Sequence, residues 1–377
     1  MATMTSPFQY GTIATGKAFV NRDKERRQLK QHLMSGINVM LISPRRWGKS
    51  SLVKEAMNEL KEEENEVAIC FIDAMTILSE QEFYENFSKE IIRATGNGIE
   101  AWIKSARQYL GAISPKITIG GDPMTEFSIG LDFKALKDNE SDVLDLPEKI
   151  AEKKGIRIIV CIDEFQNLAN LKTYSQIEGR MRSAWQKQKH VSYCLYGSKR
   201  HMMMEIFTSS SKPFYRFGQI MFLDKIAPEE WISYIIRQFD DTGKSISEDL
   251  AAYIVSLAEC HSWYVQQLSH FVWINTETAV DKDIINDSFR QIINTNKPMF
   301  QSECDSLTTT QLSLLKAVAD GVTGLTGTKA MLDYAMGTPQ NIIKNKKVLI
   351  NKDLISAEGA NLVFVDPIFR HWFVETY

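Results

Sequence analysis

The chain has 377 residues, with 44 lysines and arginines against 47 aspartates and glutamates, so its formal net charge is −3. This length exceeds what one ordinary hydrophobic core holds and predicts two or three domains. The small negative charge excludes a general electrostatic attraction to nucleic acid, so any DNA contact requires a local basic patch.

The cysteines and the lack of long apolar segments indicate a cellular compartment. Five cysteines, Cys70, Cys161, Cys194, Cys260 and Cys304, are scattered without a Cys-x-x-Cys pair. They are typical of reduced thiols in a cytosolic protein rather than of disulfides or a zinc site. The N-terminal sequence lacks the basic start and apolar run of a signal peptide, and no apolar window is long enough for a membrane span. We therefore expect a cytoplasmic protein without membrane contact.

Apolar strand-like runs alternate with helical periodicity along the first part of the chain. The predicted strands are Asn38–Ile42, Val67–Asp73, Ile156–Asp163, Val191–Tyr196 and Gln219–Leu223. Such alternation predicts an α/β fold with a parallel sheet flanked by helices. We assign residues 1–225 to this core domain.

A phosphate-binding loop is predicted directly after the first strand. The segment Ser43–Ser51 ends in Gly-Lys-Ser-Ser and precedes a helix with apolar residues at helical spacing, although Ser43 replaces the first glycine of the usual pattern. Backbone N–H groups of such a loop bind phosphates, its lysine reaches the outer phosphates, and its serine hydroxyl binds Mg²⁺. The candidate nucleotide-binding residues of the loop are Pro44, Arg45, Arg46, Trp47, Gly48, Lys49, Ser50 and Ser51. A second Gly-Lys-Ser, Gly243–Ser245, follows no predicted strand and is interpreted as a surface turn.

An unusually long stretch, roughly residues 80–150, separates the second and third strands. It begins with a helical part, Gln81–Ala94, and continues with apolar residues that alternate with polar ones around Gly-Gly-Asp-Pro. This alternation predicts a β-hairpin at about residues 115–134. We interpret the hairpin as a surface flap, since nothing in its sequence identifies a partner.

The third strand ends in two adjacent carboxylates, Asp163 and Glu164. Transfer of a phosphoryl group to water requires one group that holds the metal and another that orients the attacking water. We predict that Asp163 binds Mg²⁺ and that Glu164 is the general base. Two carboxylates can also merely terminate a strand, but the upstream phosphate loop favours the catalytic interpretation.

Ser198 and Arg216 are further catalytic candidates. Ser198 ends the fourth strand, which should lie beside the third and bring the hydroxyl close to the terminal phosphate. An ordinary strand-to-helix cap explains Ser198 equally well. Arg216 precedes the fifth strand, and an arginine from the same or a neighbouring subunit would neutralise charge in the transition state. Surface solvation is the simpler explanation of Arg216.

Helical patterns replace strands after Leu223. A helix opens at Ala227-Pro228 and another at Ser247, and helical periodicity continues to about Ile293. We predict a helical lid domain over residues 226–300. The polar stretch 294–303 is interpreted as a linker.

The last seventy or so residues predict three helices followed by a two-stranded wing. The predicted elements are helices Thr308–Asp320, Thr328–Met336 and one starting at Thr338, strands Leu354–Ser356 and Leu362–Val365, and a terminal helix after Asp366-Pro367. This order is typical of a winged helix, and we assign residues 301–377 to it.

Several motifs together resemble a known family. They are Phe19–Arg22, Ser43–Leu52, Ile162–Gln166, Tyr196–Ser198 and Asp366–Phe369. Read in order, they make the chain similar to the archaeal-type ATPases, a branch of P-loop NTPases related to AAA+ and STAND proteins. The resemblance implies a P-loop NTPase core followed by a helical lid and a winged helix. It also implies that ATP and Mg²⁺ are bound and that Phe19, Val20 and Arg22 line the adenine site.

Two functions of different classes follow from these patterns. The first is an ATP-binding, slowly hydrolysing molecular switch whose nucleotide state controls the position of lid and winged helix. The alternative is a nucleotide-regulated DNA-binding protein that uses Lys344, Lys346 and Lys347 on the third helix of the winged helix. Basic and acidic side chains balance in that domain, which counts against DNA. A scaffold with a degenerate site is disfavoured because the lysine, the serine and both acids are present. A protein partner and an oligomer are left open.

Overall fold

The computed structural model describes residues 5–113, 115–120, 127–359 and 361–377. The chain divides into two compact units. One comprises Arg22–Asp224 and is called the sheet unit. The other comprises Lys225–Tyr377 together with the residues up to Asn21, and is called the helical unit.

The sheet unit contains the predicted parallel sheet. Its strands, in the described residues, are β1 (Val39–Ile42), β2 (Val67–Asp73), β3 (Lys116–Thr118), β4 (Ser128–Gly130), β5 (Arg157–Asp163), β6 (Val191–Gly197) and β7 (Gln219–Phe222). Five of them form one sheet in the order β2-β5-β6-β1-β7, with every neighbouring pair parallel. The strands β1 and β6 are buried along their whole length, because helices cover both faces. The α/β fold class is therefore confirmed, and the five strands agree with the sequence prediction to within a residue at each end.

Helices connect these strands and supply the rest of the core. They are α1 (Asp23–Met34), α2 (Lys49–Glu63), α3 (Glu80–Thr95), α4 (Ile99–Leu110), α5 (Phe133–Asp138), α6 (Glu140–Leu144), α7 (Leu146–Lys154), α8 (Tyr174–Trp185) and α9 (Arg200–Thr208). Helix α2 buries the apolar face predicted from its spacing, including Leu52, Val53 and Leu60. This packing fixes the start of α2 at the end of β1.

The long insertion contains a short antiparallel pair. Ile117 in β3 lies opposite Ile129 in β4, while residues 121–126 between the strands lie outside the described part of the chain. The second strand is shorter than its alternating sequence predicts, since Phe133 begins α5. Asp132 accepts a hydrogen bond from Ala135 N at 2.9 Å, so this N-cap starts a helix where alternation alone favours a strand.

The helical unit consists mainly of helices with a small wing. Its elements are α10 (Pro228–Asp240), α11 (Glu248–Leu257), α12 (Ser262–Asn275), α13 (Lys282–Asp305), α14 (Thr309–Ala319), α15 (Thr328–Asp333), α16 (Pro339–Asn351), β8 (Ile355–Glu358), β9 (Asn361–Phe364) and α17 (Pro367–Thr376). Strands β8 and β9 pair in antiparallel fashion after three helices, which is the winged-helix order. No helix in the described ranges is both long and apolar enough to cross a membrane.

The stretch interpreted as a linker is helical, so that interpretation is wrong. Helix α13 continues through residues 294–303 despite the internal Pro298. Phe300 and Cys304 are buried. The ring centroid of Phe300 lies 5.3 Å from that of Phe369 and 5.6 Å from that of Trp372, both in the terminal helix. These apolar contacts stabilise a helix that the polar local sequence does not predict.

Two motifs of the helical unit have structural roles. The Asp366 carboxylate caps α17 by accepting hydrogen bonds from Ile368 N and Phe369 N at 2.9 Å each, and it also accepts one from the Tyr264 hydroxyl in α12. In the second Gly-Lys-Ser, Lys244 Nζ donates to two backbone carbonyls at the end of α12. Lys244 therefore stabilises a helix terminus.

Candidate functional site

The order of strands brings the predicted chemical groups to one edge of the sheet. Strand β6 lies between β5 and β1, and all three run parallel. The phosphate loop follows β1, Asp163 ends β5 and Glu164 follows it, and Ser198 follows β6. Because the carboxyl ends of parallel strands meet at one edge, these segments lie side by side.

The phosphate loop turns sharply into α2. Gly48 has φ of 86°, a left-handed conformation that glycine adopts without steric cost, and it precedes the first helical residue, Lys49. Arg46 is also left-handed, with φ of 64°. The backbone N–H groups at a helix N-terminus and the positive end of the helix dipole make this turn suitable for phosphate. Arg45 and Arg46 are exposed, whereas Lys49 is only 6% exposed.

Lysine, serine and both carboxylates form direct contacts. Lys49 Nζ lies 3.5 Å from Glu164 Oε1, and the Ser50 hydroxyl donates to Asp163 Oδ2 at 2.7 Å. Glu164 has φ of 49°, so the chain turns immediately after Asp163 and sends the two neighbouring side chains to different partners. Asp163 thus lies beside the serine, and Glu164 beside the lysine.

Ser198 contacts the carboxylate that was predicted to be the base. Its hydroxyl donates to Glu164 Oε2 at 2.8 Å, and its backbone N–H donates to the same oxygen at 3.2 Å. Arg45 Nε donates to the Ser198 hydroxyl at 3.4 Å. Helix α9 begins after Lys199 without a side-chain cap, so the serine hydroxyl is directed at Glu164 and not at that helix.

The two carboxylates have opposite pKa shifts. Burial raises the pKa of Asp163 above its usual value, although the charge of Lys49 and the hydrogen bond from Ser50 act the other way. Burial also acts to raise the pKa of Glu164, but Lys49 and hydrogen bonds to its carboxylate outweigh burial and lower that pKa. A cation beside the half-buried Asp163 carboxylate would offset the effect of burial on it.

The donor atoms at Ser50 and Asp163 fit Mg²⁺. A hydroxyl oxygen and a carboxylate oxygen lie 2.7 Å apart, next to the turn that suits phosphate. Mg²⁺ prefers oxygen ligands and is usually held by one or two protein groups together with substrate phosphates and water. These two side chains are the ones that would hold the ion.

Arg22 has a role that the sequence did not indicate. Its guanidinium is buried, with 4% exposure of the residue, and it donates to the carbonyl oxygen of Trp47 at 3.1 Å and of Asp224 at 2.8 Å. Burial lowers the pKa of Arg22, and the nearby Glu25 acts against this. Arg22 therefore holds the phosphate loop to the segment after β7.

We expect Arg22→Met to lower the free energy of unfolding by about 1–3 kcal/mol, because two backbone carbonyl groups lose a buried hydrogen-bond donor. ATP affinity should fall as well, since the phosphate loop loses an attachment at Trp47. Urea unfolding and nucleotide titration measure the two effects. Arg27→Met, at an exposed position of α1, the helix that Arg22 precedes, is the matched control. Equal stability and affinity for both variants would contradict the attachment role.

The structure does not bring Arg216 to this edge within one chain. Arg216 is exposed and precedes β7 at the amino edge of the sheet. The segment of Arg216 lies against the residue that precedes β1: a Cβ added to Gly218, two residues after Arg216, would be 2.1 Å from the carbonyl oxygen of Asn38. Lys49 follows β1 at the opposite edge, since β1 and β7 are parallel. A role for Arg216 in the site of a neighbouring subunit stays a prediction.

Phe19 and Val20 belong to the helical unit. Val20 is 6% exposed and packs in the apolar core of that unit, while Phe19 follows a short 3-10 turn and is half-buried. Their predicted place at the adenine base stays a prediction.

Sequence reasoning missed Gln166 as a site residue. Its side chain is 1% exposed, and Nε2 donates to Glu164 Oε2 at 2.5 Å. The only sequence signal was its position in the segment Ile162–Gln166, which carries the family resemblance.

Comparison with known proteins agrees with this geometry. A parallel sheet with a phosphate-binding loop after β1 and an Asp-Glu pair at the end of β5 defines a P-loop NTPase fold. Residues 19–224, more than half of the chain, match the family described as an ATPase domain predominantly from Archaea, and the protein belongs to that family. Residues 298–375 match a family described as a probable winged helix domain. No curated protein sequence matches the chain.

Solved structures share the fold over nearly the whole length. A Walker-type ATPase of Pyrococcus abyssi has a TM-score of 0.68 at 16% identity, covering 98% of both chains. The ORC2 protein of Aeropyrum pernix in its ADP form has a TM-score of 0.53 at 13% identity, covering 93% of this chain and 92% of that one. The ORC1 protein of Aeropyrum pernix in complex with DNA has a TM-score of 0.50 at 11% identity, covering 96% of this chain and 94% of that one. At such identities the likeness concerns the fold.

Proposed function

We propose that this protein binds ATP with Mg²⁺ and hydrolyses it slowly, as a molecular switch of the AAA+/STAND type. The observation that carries the proposal is the meeting of Lys49, Ser50, Asp163, Glu164 and Ser198, which come from three separate strand ends. A cation, a hydroxyl and two carboxylates at a helix N-terminus are the groups that phosphoryl transfer to water requires. Membership of an ATPase domain family supports the same conclusion.

In the proposed mechanism, backbone N–H groups at the start of α2 bind the phosphates and Lys49 neutralises the outer ones. Bound Mg²⁺ would supply charge neutralisation at the phosphate oxygens, held by Ser50 and Asp163. Glu164 orients the attacking water and takes its proton. Ser198 holds the Glu164 carboxylate through two hydrogen bonds, at 2.8 and 3.2 Å.

Slow turnover is supported by the environment of Glu164. Lys49 and the hydrogen bonds to its carboxylate stabilise the ionised form and lower its pKa, against the effect of burial. A base with a lowered pKa has a smaller driving force for taking a proton from water. A weak base at this position supports slow hydrolysis of bound ATP.

Steady-state ATP hydrolysis, measured with and without duplex DNA, tests the enzymatic part of the proposal. Slow Mg²⁺-dependent release of phosphate is expected. The switch is tested by limited proteolysis with ATP or ADP, where we expect different cleavage patterns because the nucleotide state would set the position of the lid and winged helix. Absence of both ATP binding and hydrolysis would contradict the proposal.

A second function is favoured by the surface of the winged helix. Lys344 and Lys347 are exposed on α16, whereas Ile342 and Leu349 on its other face are buried. A helix with its basic face outward can lie in the major groove of DNA. The ORC1 protein of Aeropyrum pernix, which shares the fold, was solved in complex with DNA. Nucleotide-regulated DNA binding is therefore the alternative proposal, and a protein partner at this surface is the remaining one.

We expect replacement of Lys344, Lys346 and Lys347 by alanine to weaken DNA binding and to reduce the salt dependence of log K by about 0.9 per lost phosphate contact. Fluorescence anisotropy with labelled duplex over a range of salt concentrations measures both. Arg290→Ala removes an exposed cation from α13, outside the winged-helix surface, and should change neither. If the wild-type protein shows no salt-sensitive DNA binding at low ionic strength, the DNA-binding proposal fails, and an internal clamp or a protein-binding module is the remaining interpretation of the winged helix.

A further inference from the structure

The side chain of Gln166 is buried next to Glu164, the proposed base. It lies three residues beyond the end of β5, and only 1% of it is exposed. Its Nε2 donates to Glu164 Oε2 at 2.5 Å, while its Oε1 is buried and accepts no hydrogen bond from any residue that the structure describes. A buried amide with one unsatisfied atom has a cost in stability, so its position calls for a functional reason.

Gly197, the last residue of β6, makes room for this amide. A Cβ at Gly197 would lie 1.8 Å from Gln166 Oε1 and 3.0 Å from its Cδ. Gly197 is not among the residues with positive φ, so the need for glycine here is one of space and not of backbone conformation. The glycine before Ser198 thus allows the side chain of Gln166 to reach Glu164.

Three hydrogen-bond donors contact the same oxygen of the Glu164 carboxylate, Oε2. Gln166 Nε2, Ser198 N and Ser198 Oγ lie 2.5, 3.2 and 2.8 Å from Oε2. The other oxygen, Oε1, faces Lys49 Nζ at 3.5 Å, on the side of the phosphate loop. One oxygen is therefore used to fix the carboxylate, and the other is directed towards the place of the phosphates.

We propose that Gln166, seated against Gly197, is a positioning residue that fixes Oε2 of Glu164 and so reserves Oε1 as the oxygen that accepts the proton. This inference rests on the proposed ATP hydrolysis. In that step a water oxygen forms a bond to the terminal phosphorus, and the bond between this phosphorus and the bridging oxygen breaks. ADP leaves with the bridging oxygen, and the proton of the water passes to Oε1.

Gln166→Met tests the proposal, because methionine keeps the length of the side chain and removes its donor. We expect kcat to fall by about 10-fold to 100-fold, since misplacement of a catalytic group by about 1 Å costs up to that much. The Kd for ATP should stay within about twofold. Asn167→Ala, which removes the neighbouring amide bonded to Met75 Sδ, is the matched control and should leave kcat unchanged.

A positioning role of Gln166 predicts a result that a merely structural role does not. In a Glu164→Gln background, Gln166→Met should change the single-turnover rate by less than about twofold, because the group it positions is no longer a base. An equal fall in both backgrounds would overturn the proposal. So would an unchanged kcat for Gln166→Met in an otherwise active protein. If the wild-type protein itself does not hydrolyse ATP, the proposed function fails instead.

Gly197→Ala provides an independent test that keeps every chemical group of the site. It should lower kcat as Gln166→Met does, by displacing the amide. Added to Gln166→Ala, it should lower kcat by less than about twofold, because the amide is gone and the remaining close contact is with a side-chain atom, Met203 Sδ at 2.9 Å, that does not touch Glu164 in the described contacts. This comparison also serves if Gln166→Met fails to fold. A full additional loss in the Gln166→Ala background would contradict the coupling.

Discussion

Lys49→Ala is expected to abolish ATP binding or to weaken it by about 2–5 kcal/mol, roughly 30-fold to 4,000-fold in Kd. The variant removes the buried cation that we propose binds the outer phosphates. It also leaves the Glu164 carboxylate, now 3.5 Å from Nζ, without its positive neighbour, so that this carboxylate would repel the nucleotide. Isothermal titration calorimetry with ATP and Mg²⁺ measures the effect.

The second Gly-Lys-Ser of the chain offers a matched control for this experiment. Lys244 Nζ donates to the carbonyl oxygens of Trp273 and Thr276, at 2.6 and 2.5 Å. Lys244→Ala should lower the free energy of unfolding by about 1 kcal/mol and leave ATP affinity unchanged. If Lys49→Ala binds and hydrolyses ATP like the wild-type protein, the phosphate loop is not the nucleotide site.

Glu164→Gln should keep ATP affinity and slow turnover by about 10²-fold or more, which is the usual contribution of a general base. Glutamine has nearly the same shape and can keep contacts with Ser198, but it cannot take a proton from water. The variant would accumulate in the ATP-bound state. Single-turnover hydrolysis and equilibrium nucleotide binding separate the loss of chemistry from any loss of binding.

Asp73 provides the control carboxylate at the same edge of the sheet. It lies opposite Asp163 in the neighbouring strand, and its side chain accepts from Met75 N at 2.8 Å. Asp73→Asn should change turnover by less than about threefold, since an amide oxygen can still accept this bond. Unchanged turnover of Glu164→Gln would mean that another group is the base.

The sequence by itself determined the sheet and the position of the phosphate loop. Strands buried on both faces of a parallel sheet consist of continuous apolar runs, and the segments around Val160 and Cys194 have this character. The loop was recognisable because its chemistry depends on adjacent residues, with Gly48 in a left-handed turn and Lys49 opening a helix. Signals of this kind are local and are complete within about ten residues.

Side-chain packing between distant segments, in contrast, was decided only by the tertiary structure. Arg22 joins the phosphate loop to Asp224, and the space for Gln166 exists because Gly197 on another strand lacks a Cβ. Phe300 makes the predicted linker helical by packing on Trp372 of the terminal helix. Each of these roles depends on burial by a partner far along the chain, and local periodicity carries no information about such partners. The sequence therefore identified which groups perform the proposed chemistry, and the fold decided what holds them in place.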